Sequence, residues 1–134
     1  MRDVTLVAVG LVRHGTRPSG EPTYVVTRRA RGTHLAGAWE FPGGKVQDHE
    51  NPETALRREL REELGVDTRP ATPITFAHHR YDDRTVLLLL FRVETTEDSP
   101  PPRPVASEEL RLVTLVELKA LEFPPANGPL LDAI

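Results

Sequence analysis

The run from Gly44 to Val66, GKVQDHENPETALRRELREELGV, carries the full punctuation of one short helix. Asn51 is a good N-cap, and Pro52 suits the first helical position, where its missing N–H is no loss. Gly65 supplies the left-handed residue that closes a last turn. At 3.6 residues per turn, the side chains from Pro52 to Leu64 sort into three arcs. Leu56, Leu60 and Leu64 share one, Arg57, Arg58 and Arg61 fill the next, and Glu59, Glu62 and Glu63 hold the third. The leucines demand a core against which to pack, and this confines the charged arcs to the rim of that layer.

Three glutamates at spacings of three and four repel one another, each pair costing a few tenths of a kcal/mol unless a positive charge covers it. An Arg58–Glu62 pair is one source of that charge; a hard divalent cation with oxygen ligands is another. The context favours the cation. Phe41-Pro42-Gly43-Gly44 reads as a tight glycine-bearing loop ahead of the helix, where backbone carbonyls approach an ion or a phosphate without interference from a Cβ. Glu50 adds a further carboxylate at the helix entrance.

This segment resembles a Nudix box: G, five residues, E, seven residues, R-E-U-x-E-E-x-G-U, with U a bulky aliphatic. Gly44, Glu50, Arg58, Glu59, Leu60, Glu62, Glu63, Gly65 and Val66 meet every specified position. The likeness extends to the MutT-like branch of the family through Val26-Thr27-Arg28-Arg29-Ala30, His34, Trp39 to Lys45 and the distant Phe123-Pro124-Pro125-Ala126-Asn127. It is poorest between Glu94 and Glu109. The resemblance implies an α/β fold, the α/β/α sandwich with a mixed central sheet. It also implies a Mg²⁺-dependent hydrolase, with Mn²⁺ as an alternative, that cleaves oxidised purine nucleoside triphosphates such as 8-oxo-dGTP to the monophosphate and pyrophosphate. Another nucleoside diphosphate derivative, such as a second (d)NTP, a nucleoside diphosphate sugar, ADP-ribose or a dinucleoside polyphosphate, is the competing substrate class, and a non-catalytic nucleotide-sensing module is a third reading.

Carried over by position, the resemblance makes the Gly43 carbonyl, Glu59, Glu62 and Glu63 metal ligands or near-ligands, with Glu59 also the base that prepares the attacking water. A further ligand is expected from the loop acids Glu108 or Glu109, of which Glu109 is chosen. Arg58 points away from the acidic arc and braces Glu50 or the loop. Lys45 contacts phosphate or stands as a solvated surface charge. Arg28 or Arg29 reaches the nucleotide, since adjacent strand residues face opposite ways. Tyr81 stacks on the base or packs under its loop. Asn127 offers a donor and an acceptor to a purine edge, the competing role being a cap for the terminal helix.

Among 134 residues, a net charge of −3 argues against generic nucleic-acid binding, and the absence of cysteine excludes disulfides and a thiol nucleophile. No apolar run approaches the roughly 18 residues of a membrane span. The chain reads as a single domain, residues 1–134, cytoplasmic, a monomer or homodimer with a small nucleotide as its partner. Strands are expected over Thr5–Val12, Thr23–Thr27, Ile74–His79, Val86–Val93 and Arg111–Val113, with Leu87 to Phe91 buried on both faces. The stretch from Glu94 to Pro104 is a proline-rich loop. Thr114 to Glu117 has the form of a capping box before an amphipathic stretch to Leu121, and Pro129–Ile134 forms a terminal helix.

Overall fold

The computed structural model describes residues 3–32 and 36–134. In chain order it contains strands β1 (Val4–Thr16), β2 (Pro22–Arg28), β3 (Trp39–Glu40) and β4 (Gly43–Lys45), helix α1 (Pro52–Leu64), strands β5 (Thr72–Arg80), β6 (Thr85–Glu94) and β7 (Glu109–Val113), helix α2 (Leu115–Lys119), a 3-10 turn (Pro125–Asn127) and helix α3 (Gly128–Asp132). His34 lies outside the described residues.

The strands make one mixed sheet in the order β3-β2-β1-β6-β5, with β4 also paired to β1 and β7 to β2. Among the described residues only the central β1–β6 pair is parallel, in register from Val4↔Thr85 to Arg13↔Glu94. A central strand covered on both faces has no use for alternation, which explains the unbroken apolar run in β6. Leu88 and Leu90 pack into one layer, Leu89 and Phe91 into the other.

Helix α1 covers one face. Its Ala55, Leu56, Leu60 and Leu64 are buried among Ala8, Val12, Val25, Phe91 and Val93. Leu118 of α2 and Leu130 of α3 cover the other face, against Val9, Leu11, Tyr24, Val26 and Leu90. The expected α/β/α sandwich is therefore present. Leu60 is fully buried, so truncation to Ala would cost about 2–5 kcal/mol through lost transfer energy and an unfilled cavity.

The helix ends follow their local signals. The Asn51 side chain accepts from the Thr54 N–H, Pro52 opens the first turn, and Gly65 sits at φ 70° with its N–H on the Arg61 carbonyl. Thr114 and Glu117 close a reciprocal capping box on α2, which stops at Lys119 rather than Leu121. The segment expected to be a simple glycine loop differs: Gly43–Lys45 is a strand, antiparallel to Val7–Val9 of β1. Among the described residues no helix is long and apolar enough to cross a membrane.

Candidate active site

Arg58 organises the entrance to α1. Its Nε and Nη2 donate to the two oxygens of Glu50 at 2.7 and 2.8 Å, and Nη2 also donates to the Lys45 carbonyl at 3.1 Å. This bidentate contact, followed by a hydrogen bond from the Gln47 N–H, holds the Glu50 carboxyl down at about 2. The expectation that Arg58 braces Glu50 and the loop is met. The expectation that it points away from the acids is not, because Nη1 donates to Glu59 at 2.9 Å and to Glu62 at 3.3 Å. A guanidinium reaches both sides of its own helix arc, so the wheel alone misplaces its charge.

The acid-bearing side of α1 meets β4 through glycine. A Cβ on Gly44 would collide with the Glu59 carboxyl group, and one on Gly43, at φ 150°, would collide with the carbonyl oxygen of Ala8. Both glycines are needed for the backbone to lie this close to the helix. Glu63 lies beside the Gly43 backbone and the Glu59 carboxyl. Burial first, and then the charge of Glu59, push the Glu63 carboxyl up to about 8, with Glu40 adding to the push and the Gly43 backbone opposing it. Glu59 and Glu63 are thus a close carboxyl pair, whereas Glu62 has a side chain 59% exposed. The helical arc of three acids resolves into an inner pair and an outer member.

Beside this pair opens a cleft of about 510 Å³. Its floor is Thr5, Val7 and Val9 of β1 with Val86 and Leu88 of β6. Phe41, Gly43, Gly44, Lys45 and Glu63 form one wall, and Pro124, Ala126 and Asn127 another. Asn127 precedes α3 but makes no capping hydrogen bond with its side chain, so the competing cap role falls away. Phe41 and Phe123 pack at 5.0 Å between ring centroids, linking the two walls. Tyr81 lines the cleft with the edge of His79 against its ring at 4.5 Å and Arg84 5.3 Å from its centroid.

Two expected site residues lie elsewhere. Arg28 does not line the cleft: it pairs with Glu109 at 3.0 Å and lies 5.8 Å from the Trp39 ring centroid. Arg29 does line the cleft, paired with Glu40 at 2.9 Å. Glu109 is held between Arg28 and Arg111, and Glu108 is paired with Arg31 at 3.2 Å. Neither loop acid joins Glu59 and Glu63, and among the described residues no three acids or histidines converge as a ready-made metal shell. The cause is the β2–β7 ladder, which sets Glu109 directly opposite Arg28.

Glu40, His79 and Arg84 line the cleft and were not singled out from sequence. Burial raises the Glu40 carboxyl above its usual range, with Arg29 opposing. Strand alternation separates His79 from its neighbour His78, but the face that matters follows only from the pairing of β5 with β6.

The NUDIX domain matches residues 4–134. The chain is 35% identical over 125 residues to the 8-oxo-dGTP diphosphatase of Escherichia coli (strain K12), covering 93% of this chain and 92% of that protein. It is 31% identical over 135 residues to the CTP pyrophosphohydrolase of the same organism, covering 99% and 93%. The solution structure of the E. coli ORF135 protein superposes with a TM-score of 0.80 at 26% identity, over 98% of this chain and 89% of that one. The chain therefore belongs to the Nudix family.

Proposed function

We propose that this chain is a MutT-like pyrophosphohydrolase that converts oxidised purine nucleoside triphosphates, such as 8-oxo-dGTP, to the monophosphate and pyrophosphate. The observation that carries this reading is the position of Asn127, whose amide lines the same cleft as Gly43, Gly44, Lys45 and Glu63 while making no helix cap. A free carboxamide presents a donor and an acceptor together, enough to read one purine edge. The relative named 8-oxo-dGTP diphosphatase supports the same substrate.

The donor set suits Mg²⁺ or Mn²⁺. Two crowded carboxyls beside a glycine backbone that admits no Cβ form a cradle of hard oxygen ligands. Glu59, Glu63 and the Gly43 carbonyl would hold the ion, with Glu62 at its exposed edge. When bound, the ion supplies charge neutralisation to the polyphosphate. Glu59 orients and deprotonates the attacking water, with Glu63 sharing the proton, since adjacent carboxyls titrate as a pair. Arg58 fixes Glu59 through its contact at 2.9 Å, and Lys45 and Arg29 supply positive charge to the cleft that receives the phosphates. Tyr81 gives the base an aromatic face. Glu109, held by two arginines, plays no direct part. One chain provides every group named, so a monomer or a homodimer serves, and clearing oxidised purines from a cytoplasmic pool before they reach DNA is the role this activity fits.

A second reading keeps the chemistry and changes the base, and the 31% identity to a CTP pyrophosphohydrolase favours it. A panel of nucleoside triphosphates with Mg²⁺ or Mn²⁺, with products identified by mass, decides between them. Pyrophosphate and 8-oxo-dGMP from 8-oxo-dGTP are expected. Asn127→Ala should lower kcat/KM on 8-oxo-dGTP by about 10- to 100-fold, the loss of one paired polar contact or more, while leaving dCTP turnover little changed. Equal losses on both substrates would move the assignment to a pyrimidine or unselective enzyme.

A further inference from the structure

Between Ser99 and Ala106 the sequence Pro100-Pro101-Pro102-Arg103-Pro104-Val105 leaves two residues that carry a backbone N–H. Both donate to α1. The Arg103 N–H meets the Leu64 carbonyl at 2.9 Å, and the Val105 N–H is shared between the Glu63 carbonyl at 3.0 Å and the Arg103 carbonyl at 2.9 Å. The Leu64 and Glu63 carbonyls belong to the last turn, where a helix offers no internal partner. The segment is also fastened upstream: the Thr96 N–H donates to the Asp67 carbonyl at 2.9 Å and the Asp67 N–H to Ser99 Oγ at 2.9 Å. The Arg103 guanidinium stands over Gly65, with Nη2 3.0 Å from where a Cβ would be, so positive charge faces the negative end of the helix. Prolines keep such a segment extended before it docks, and little freedom is lost on docking.

Glu63 is the penultimate residue of α1, so the last turn decides where its carboxyl sits. We propose that residues 96–105 form a strap that positions Glu63, anchored by the backbone N–H groups of Val105 and Arg103. The proposal rests on Glu63 belonging to the reacting site.

The anchors can be removed one at a time. Val105 has a side chain largely in solvent, at 57% exposure, so Val105→Ala keeps the donor and should turn over 8-oxo-dGTP as the unaltered enzyme does. Val105→Pro deletes the donor; it should lower kcat about tenfold, as expected of a small misplacement of a reacting group, with KM within about twofold and the pH profile of kcat displaced. Arg103→Pro tests the second anchor with Arg103→Ala as its control, and it decides the matter if Val105→Pro does not fold. Unchanged kcat in the folded proline variants, including a case where only the thermal midpoint falls, overturns the strap as a positioning device. Glu63→Gln, assayed alongside, separates the two readings: if it retains full turnover, the reading of the site itself fails, and if it is inactive while the proline variants are normal, the strap alone fails.

Discussion

Glu108 and Glu109 at the start of β7, and Glu59 and Glu63 on α1, are acid pairs of the same chemistry in different company. The β7 acids are each met by arginine, Glu108 by Arg31 and Glu109 by both Arg28 and Arg111, at 2.8 to 3.2 Å. The α1 pair lies against a glycine backbone, with Arg58 reaching Glu59 and burial pushing the Glu63 carboxyl up to about 8. Both acids before and in β7 meet an arginine, whereas in the α1 pair Arg58 reaches Glu59 and, among the described residues, no ion pair reaches Glu63. On the proposed reading, the crowded α1 carboxyls are the ones that would accept a cation, and the arginine-paired acids at β7 would be structural.

The contrast is sharpest when one acid is made neutral without changing its shape. Glu63→Gln and Glu59→Gln should each lower kcat by about 100-fold or more, the usual scale for removing a general base or its proton-sharing partner; steady-state rates with magnesium measure it. Next in size is Arg58→Lys, which keeps the charge but loses the fork that spans Glu50, Lys45 and Glu59. It should cost about tenfold in kcat, because a point-charge ammonium cannot hold planar bidentate partners.

Glu50→Gln probes the same brace through pH. The Glu50 carboxyl is held at about 2 in the folded protein against an ordinary 4.5, so the unfolded chain binds the proton first as pH falls. The stability it contributes is complete above about 4.5 and disappears as pH falls toward 2. Thermal midpoints of the native protein and Glu50→Gln should differ at neutral pH and converge in acid; a gap independent of pH would remove the ion pair as its cause. Smallest of all is Glu109→Gln, with kcat within about twofold and a stability change of about 0–1 kcal/mol by chemical denaturation, as for a partly exposed ion pair. A large fall in kcat there would return Glu109 to the site.

What could be read along the chain was local. Asn51, Pro52 and Gly65 fix the bounds of α1 because capping depends on the immediate neighbours, and the three leucines name its buried side. The strand at Gly43–Lys45 was hidden, since it exists by pairing with Val7–Val9 some 35 residues upstream, and glycine gives no strand propensity of its own. Arg28 and Arg29 could not be told apart without knowing which face of β2 turns to the cleft; β7 then takes Arg28 through Glu109. The prolines mark residues 94–104 as a loop, but the partners of that loop on α1 are long-range and carry no signal in either segment. Asn127 suits both a cap and a ligand group by its local sequence, and the absence of a cap depends on the conformation of the turn before α3.

The central claim is that the α1 acids, and not the β7 acids, carry the metal-dependent chemistry. Calorimetric titration of Mg²⁺ in the presence of an inert triphosphate analogue tests it on the native protein, on the double variant Glu59→Gln with Glu63→Gln, and on the double variant Glu108→Gln with Glu109→Gln. The β7 variant should bind the ion as the native protein does, and the α1 variant should bind it at least about tenfold more weakly, the scale for losing ligands or their supports. Undiminished binding by the α1 variant, or binding lost only in the β7 variant, would contradict the account.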